Sequence, residues 1–328
     1  MKEKIILSTN QQGISRAIFQ DNQWLVSKVL SQDVRCLAQH KVYEEVIYAG
    51  TQQNGVYLSE DKGISWSWLG LEKQTVKSIT TSSYNPESIY AGIKPANIFF
   101  SPDKGKSWQE SNSFRRNPQQ LSWFSPAEPP FTAYVLGLDL SPTHQDEIIA
   151  GIEYGGIHLS TDGGKTWKGH MEGAIKDCHN LKYHRTKGQY VYEGGGVGAG
   201  AAISRDGGRS WEQDKQGLDR HYGWAVAADP ADPEIWYSSL SKGPMKAHGG
   251  KNAKACIFRK RKNQPWEKLK LDQLYEFKHM PYSLICTDEP GFIAAGFSNG
   301  SIWWSVDYGD YWQEADLNLG VLHSLILI

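Results

Sequence analysis

Most of the residues that could do chemistry in this chain lie between positions 150 and 282. Glu153, Glu193 and Asp219 are carboxylates able to take up or release a proton, and His179 and His248 carry imidazole, the side chain whose ordinary pKa lies nearest neutrality. His179 and Glu193 are the candidate proton-handling pair, with Tyr222 the third catalytic candidate. Arg35, Arg220 and Lys246 are expected to supply positive charge to a ligand. Tyr154, Trp224 and Tyr282 offer flat faces for stacking, and Glu153, Asp219 and His248 offer further polar contacts.

Quieter roles compete with each of these. Arg220 could equally clamp the loop that carries Glu193, and Trp224 and Tyr282 could simply plug a channel. Glycines crowd the stretch Glu193-Gly-Gly-Gly-Val-Gly-Ala-Gly200, but no Gly-Lys-Ser/Thr follows, so a nucleotide phosphate is not expected there. His179 and His184 are five apart on a strand-to-turn segment, which is not a helical zinc pair; no metal and no cofactor are expected.

What could bring these positions together is set by a repeat. Five octapeptides share the pattern S-x-D-x-G-x-[ST/Y]-W: Ser59 to Trp66, Ser101 to Trp108, Ser160 to Trp167, Ser204 to Trp211 and Ser305 to Trp312. In each, the aspartate (Asp61, Asp103, Asp162, Asp206, Asp307) is suited to accept backbone N–H groups within a tight turn. The glycine takes a conformation that a Cβ resists, and the tryptophan opens the next strand and packs beneath the turn. These aspartates are structural. Trp66 and Trp108 are 42 residues apart, Trp167 and Trp211 are 44 apart, and Trp24 and Trp266 mark two degenerate copies in phase. Seven marks at a period of about 40–50 residues predict an all-β, seven-bladed β-propeller.

Between marks, four short β-branched and aromatic runs recur, here named strands A to D. The blades are expected near 32–70, 74–110, 133–170, 176–215, 222–271 and 281–316, with the last built from 318–328 plus 1–30. The segment Lys4–Leu7 and the two runs after it supply strands B to D, and Val321–Ile328 supplies strand A. Closure by the two termini removes a free sheet edge, and the single domain spans 1–328. In such a wheel the D–A and B–C loops share the face on which channel mouths open. The strand A starts align Arg35, Lys77, Leu136, His179, Trp224, Tyr282 and His323 as a ring at that mouth. The long aromatic connection from Ser111 to Ala133 lies on the same face.

Bulk properties bound the partners. Formal charge is −1 at pH 7, which argues against capture of nucleic acid or an anionic membrane. The basic run Arg259–Lys262 reads as a solvated turn. Four cysteines fall on or beside strands of different blades, as buried thiols of a cytoplasmic protein would. The start, Met-Lys-Glu-Lys, lacks the apolar core of a secretion signal.

The octapeptide is the Asp-box, or BNR, repeat, and the whole chain resembles the Asp-box propellers, a group that includes sialidases, xyloglucanases, sortilin-type receptor domains and a photosystem II assembly factor. Within it, the chain is most similar to uncharacterised bacterial and cyanobacterial single-propeller proteins labelled as glycosyl hydrolase-like or sialidase-like. The stretches that carry this likeness are Trp123–Phe131, Ala150–Tyr154, Val191–Gly195, Leu218–Pro230 and Lys246–His248. Sialidases resemble one another in six blades, an arginine triad and an Arg-Ile-Pro segment, and this chain lacks that segment. Three expectations stay open: a pocket for a small polar ligand, a carbohydrate or an anionic metabolite; a glycoside hydrolase (or lyase) of sialidase-like type; and a scaffold docking a protein partner through loop 111–133.

Overall fold

The computed structural model describes residues 5–127, 129–250 and 252–328; Met1–Lys4, Glu128 and Lys251 lie outside them, and with them one residue each of the expected first strand, the Trp123–Phe131 stretch and the loop before strand C of the fifth blade. The described strands pair antiparallel into seven separate sheets, so the chain is a seven-bladed β-propeller. Blade 1 comprises Val34–Gln39, Ile47–Thr51, Val56–Ser59 and Ser67–Gly70, and blades 2 to 6 repeat this order outward from strand A. Blade 7 takes strand A, Ser324–Leu327, from the end of the chain and the other three from its start. Ile6, Leu7, Ser8 and Thr9 pair with Leu327, Ile326, Leu325 and Ser324.

The repeat performs as its chemistry predicts. In the first copy Asp61 accepts the N–H groups of Ile64 and Ser65 at 3.0 and 2.9 Å, and the Ser59 hydroxyl donates to Asp61 at 2.7 Å while accepting from Gly63 N–H at 2.8 Å. Gly63 sits at φ 81°, where a Cβ is strained. The seven marker tryptophans fall one each into seven inter-blade clusters, Trp66, Trp108, Trp167, Trp211, Trp266, Trp312 and Trp24. The core is therefore not one mass but seven wedges between neighbouring sheets, with an eighth, smaller cluster of Tyr222, Ala247, Ala253, Ala255 and Met280.

Blades 3 and 4 are three-stranded, with their outer strands reduced to the single bridges Leu159–Lys168 and Ile203–Glu212. The long connection after blade 2 packs on blade 3. Its helix Asn112–Arg115 buries Phe114 against Trp123, His158 and Trp167, and the Ser113 hydroxyl donates to Gly164 O at 2.6 Å. The basic run also departs from a solvated turn. Arg259 and Lys260 belong to strand C of blade 5 and are buried, Arg259 on Glu267, Asp310 and Tyr308 O, and Lys260 on Asp214. All four cysteines are free thiols. Among the described residues no helix is long and apolar enough to cross a membrane.

Candidate functional site

In six blades strand A carries a register shift near its start, between Val34 and Cys36, Val76 and Ser78, Val135 and Gly137, Cys178 and Asn180, Gly223 and Val226, and Pro281 and Ser283. A β-bulge re-aims the extra residue. Here those residues are Arg35, Lys77, Leu136, His179, Trp224 with Ala225, and Tyr282, and all line an axial cavity of about 390 Å³ together with His323. The ring divides by chemistry. Blades 7, 1 and 2 present His323, Arg35 and Lys77; blades 4, 5 and 6 present His179, Trp224 and Tyr282.

Each arc has its own supports. Arg35 is held by Asp33 at 2.7 Å, and its Nε is buried without a partner. Lys77 lies 4.8 Å over the Tyr134 ring. Burial, then the charge of Arg35, lowers the His323 pKa, so positive charge on this side comes from Arg35 and Lys77. On the other side His179 leans on Tyr222 and Trp224 with ring centroids 4.9 and 4.8 Å apart. The short helix Pro244–His248 delivers His248, whose Nε2 and Nδ1 each lie 2.8 Å from a hydroxyl, those of Tyr222 and Tyr282. Packing among these rings, reinforced by nearby His179, pushes the His248 imidazole down to about 4, although part of the residue stays exposed.

Beside His179 is a group of acids that the chain order disguises. Asp177 Oδ2 stands 3.5 Å from His179 Nε2, and donor atoms of Glu153, Asp177 and His179 all lie within 4.8 Å of one another. The three residues are 5%, 2% and 5% exposed. Ser125 and Tyr134 bond the Glu153 carboxylate, yet its Oε2 has no partner, nor has Asp177 Oδ1. Burial raises the Glu153 pKa. The glycine-rich loop closes over these acids, since a Cβ on Gly196 would sit 1.8 Å from Asp177 Oδ2 and 2.9 Å from His179 Cε1.

The remaining sequence candidates are placed elsewhere. Glu193 is fully buried in the wedge between blades 3 and 4, its Oε2 accepting Ile175 N–H at 2.8 Å, with Cys178 as a second partner. Burial, first of all, pushes its pKa well up. Arg220 is buried and spends its guanidinium on Lys254 O at 2.6 Å, Asp219 at 2.6 Å and Glu276. Asp219 also takes Lys268 at 2.8 Å. Neither Asp219 nor Arg220 lines the cavity. Lys246 is exposed on its helix, and Tyr154 stacks on Phe124 at 4.8 Å. Asp177 escaped the sequence reading. The signal was there: Asp33-Val-Arg35 and Asp177-Cys-His179 are the same two-residue spacing at the same blade position.

The comparisons agree on architecture. A family model for Sortilin-Vps10 (sortilin, neurotensin receptor 3) matches residues 54–193. No curated protein sequence matches the chain. Among solved structures, an ancestral GH74 enzyme superposes with TM-score 0.66 at 16% identity, covering 90% of this chain and 38% of that one. The GH74 xyloglucanase from Xanthomonas campestris gives TM-score 0.61 at 15% identity, covering 86% and 45%. YCF48 from Cyanidioschyzon merolae gives 0.60 at 13%, covering 88% and 86%. The chain spans less than half the length of the GH74 enzymes. At these identities the likeness is one of fold: this is a seven-bladed propeller similar to the propellers of GH74 enzymes and YCF48.

Proposed function

We propose that the protein binds a small anionic ligand, of the acidic-sugar type, at the axial mouth. The observation that carries this reading is the opposition of Arg35 and Lys77 to Trp224 and Tyr282 across one 390 Å³ cavity. A carboxylate on the ligand would meet the cations while an apolar sugar face stacked on the rings. His179, at the end of the aromatic arc next to Leu136, is the proton-handling candidate. Tyr222 and His248 hold Tyr282 and Trp224 in place rather than touching the ligand. Thermal-shift titration with glucuronate and N-acetylneuraminate tests this. Stabilisation lost in both Arg35→Ala and Trp224→Ala supports it, and no stabilisation by either acid removes it. Release of nitrophenol from nitrophenyl glucuronide or sialoside would extend the reading to hydrolysis.

A second reading, docking of a protein segment on loop 111–133, is favoured by the exposure of Leu121, at 98%, with Phe124 and Phe131 about half exposed. One similar structure is of YCF48 bound to D1 peptide, with TM-score 0.57 at 15% identity, covering 86% of this chain and 80% of that one. Pull-down lost in Leu121→Asp, with acid binding unchanged, would favour this reading.

A further inference from the structure

We infer that Glu153, Asp177 and His179 form a binding site for one first-row divalent transition cation, for which Zn²⁺ is the probe. This goes beyond the ligand reading and does not depend on it.

Four observations converge. First, three ligand-type side chains from two blades meet in the same place: Glu153 follows strand B of blade 3, and Asp177 and His179 flank Cys178, the first residue of strand A of blade 4. Second, Glu153 Oε2 and Asp177 Oδ1 are buried oxygens with no hydrogen-bond partner, on residues 5% and 2% exposed. Such oxygens are costly unless something pairs with them. Third, the imidazole is oriented as a ligand. Its Nδ1 lies 2.7 Å from Gly223 O, and a carbonyl oxygen only accepts, so Nδ1 carries the proton. In the neutral ring Nε2 then turns its lone pair toward Asp177. A backbone carbonyl holding the far nitrogen is the usual support for a metal-bound histidine. Fourth, the spacing fits. Ligands about 2.1 Å from a tetrahedral ion lie roughly 3.4 Å apart, and His179 Nε2 is 3.5 Å from Asp177 Oδ2. Glu153, within the 4.8 Å limit, would have to close in by up to roughly 1.4 Å to reach that spacing.

The donor set narrows the ion. Two carboxylates and one imidazole suit zinc, manganese or iron better than calcium or magnesium, which prefer oxygen alone. Gly196 supplies the room, because any side chain there would fill the space beside Asp177. Ser125 and Tyr134, which bond Glu153, would hold that carboxylate in place.

The test uses the full chain stripped with EDTA and returned to chelator-free buffer. Calorimetric titration with Zn²⁺ should give one site per chain and a concentration-dependent rise in Tm. Asp177→Asn and His179→Gln, both nearly isosteric, should each weaken binding by at least about 100-fold with the circular dichroism spectrum unchanged. Glu153→Gln is the substitute should either fail to fold. Co²⁺ should give visible ligand-field bands that vanish in His179→Gln. Absence of heat and of any Tm shift in the unaltered protein would overturn the inference, as would Zn²⁺ binding that persists in these variants, or binding of Ca²⁺ but not Zn²⁺.

Discussion

His179 and Asp177 meet with Nε2 3.5 Å from Oδ2, each side chain 3% exposed, and Gly196 passes so close that its missing side chain is what permits the approach. Gly196→Ala should therefore drive a methyl group into Asp177. A loss of about 1–3 kcal/mol is expected, the usual cost of overpacking a filled site. Denaturant unfolding measures it, and ¹⁵N shifts of the His179 ring should move with it. An alanine variant as stable as the parent would mean the loop has slack.

Asp139 ties four successive blades. Its carboxylate takes Lys41 of blade 1 at 2.7 Å, the Thr80 hydroxyl of blade 2 at 3.1 Å and Tyr183 N–H of blade 4 at 2.9 Å, while standing in blade 3 itself. Asp139→Ala strands the buried Tyr183 N–H, while the partly exposed Lys41 ammonium keeps Leu140 O at 2.9 Å. A cost of about 1–3 kcal/mol is expected, the usual penalty for one buried donor left unsatisfied. Chemical denaturation should show it as a fall in midpoint with an unchanged slope.

The repeat aspartates make an acid-side prediction. The hydroxyl and N–H of Thr166 hold Asp162 at about 2, below its ordinary 3.8. A lowered carboxylate pKa stabilises the fold above the ordinary value, and that contribution drains away as pH falls through the folded one. The Tm gap between the parent and Asp162→Asn should be constant above pH 4 and close between pH 4 and 2. A gap that persists at pH 2 would mean that charge is not what the turn uses.

Glu193 predicts the opposite limb. Its raised pKa, caused chiefly by burial, keeps the folded carboxyl protonated where the unfolded one ionises. Stability then declines as pH rises above about 4.5, the ordinary glutamate value. Glu193→Gln keeps an acceptor for Ile175 and removes the titration. It should match the parent at pH 4 and exceed it by pH 8, by roughly 2–4 °C if about 1 kcal/mol is recovered. Loss of stability at every pH would contradict this account.

Arg220 should behave as a structural clamp. Arg220→Ala removes three bonds from a buried guanidinium, but Asp219 and Glu276 keep about half their exposure. The expected cost is about 2–3 kcal/mol, below that of a fully buried pair. Binding of an acid at the mouth, measured by calorimetry at a temperature where the variant is folded, should be unchanged. A selective loss of binding would make Arg220 a ligand contact after all.

Why some of this was readable from residue order and some was not has a physical basis. Turns are local, so an aspartate, a glycine and a tryptophan within eight residues announce themselves, and seven such marks imply a closed wheel. The ring at the mouth is readable too, because its residues all lie near the start of strand A. Glu193 and Arg220 misled for a common reason. In a propeller both faces of every blade are buried against neighbours, so alternation does not distinguish a side chain facing the channel from one facing the next blade. Partners such as Glu276 for Arg220 come from another blade, 56 residues away. Asp177 sits one residue ahead of its strand, so neither loop composition nor the strand alignment marks it.

The bulge has a consequence for how such a molecule can change. Because the bulge turns residues of six blades toward the axis, and His323 joins them from the seventh, the lining at the mouth is an alphabet of letters printed on walls that do not read it. Leu136, flanked by a lysine and a histidine, is the least committed of these letters. Rewriting it could retune what the opening admits while leaving the wedges of tryptophan untouched.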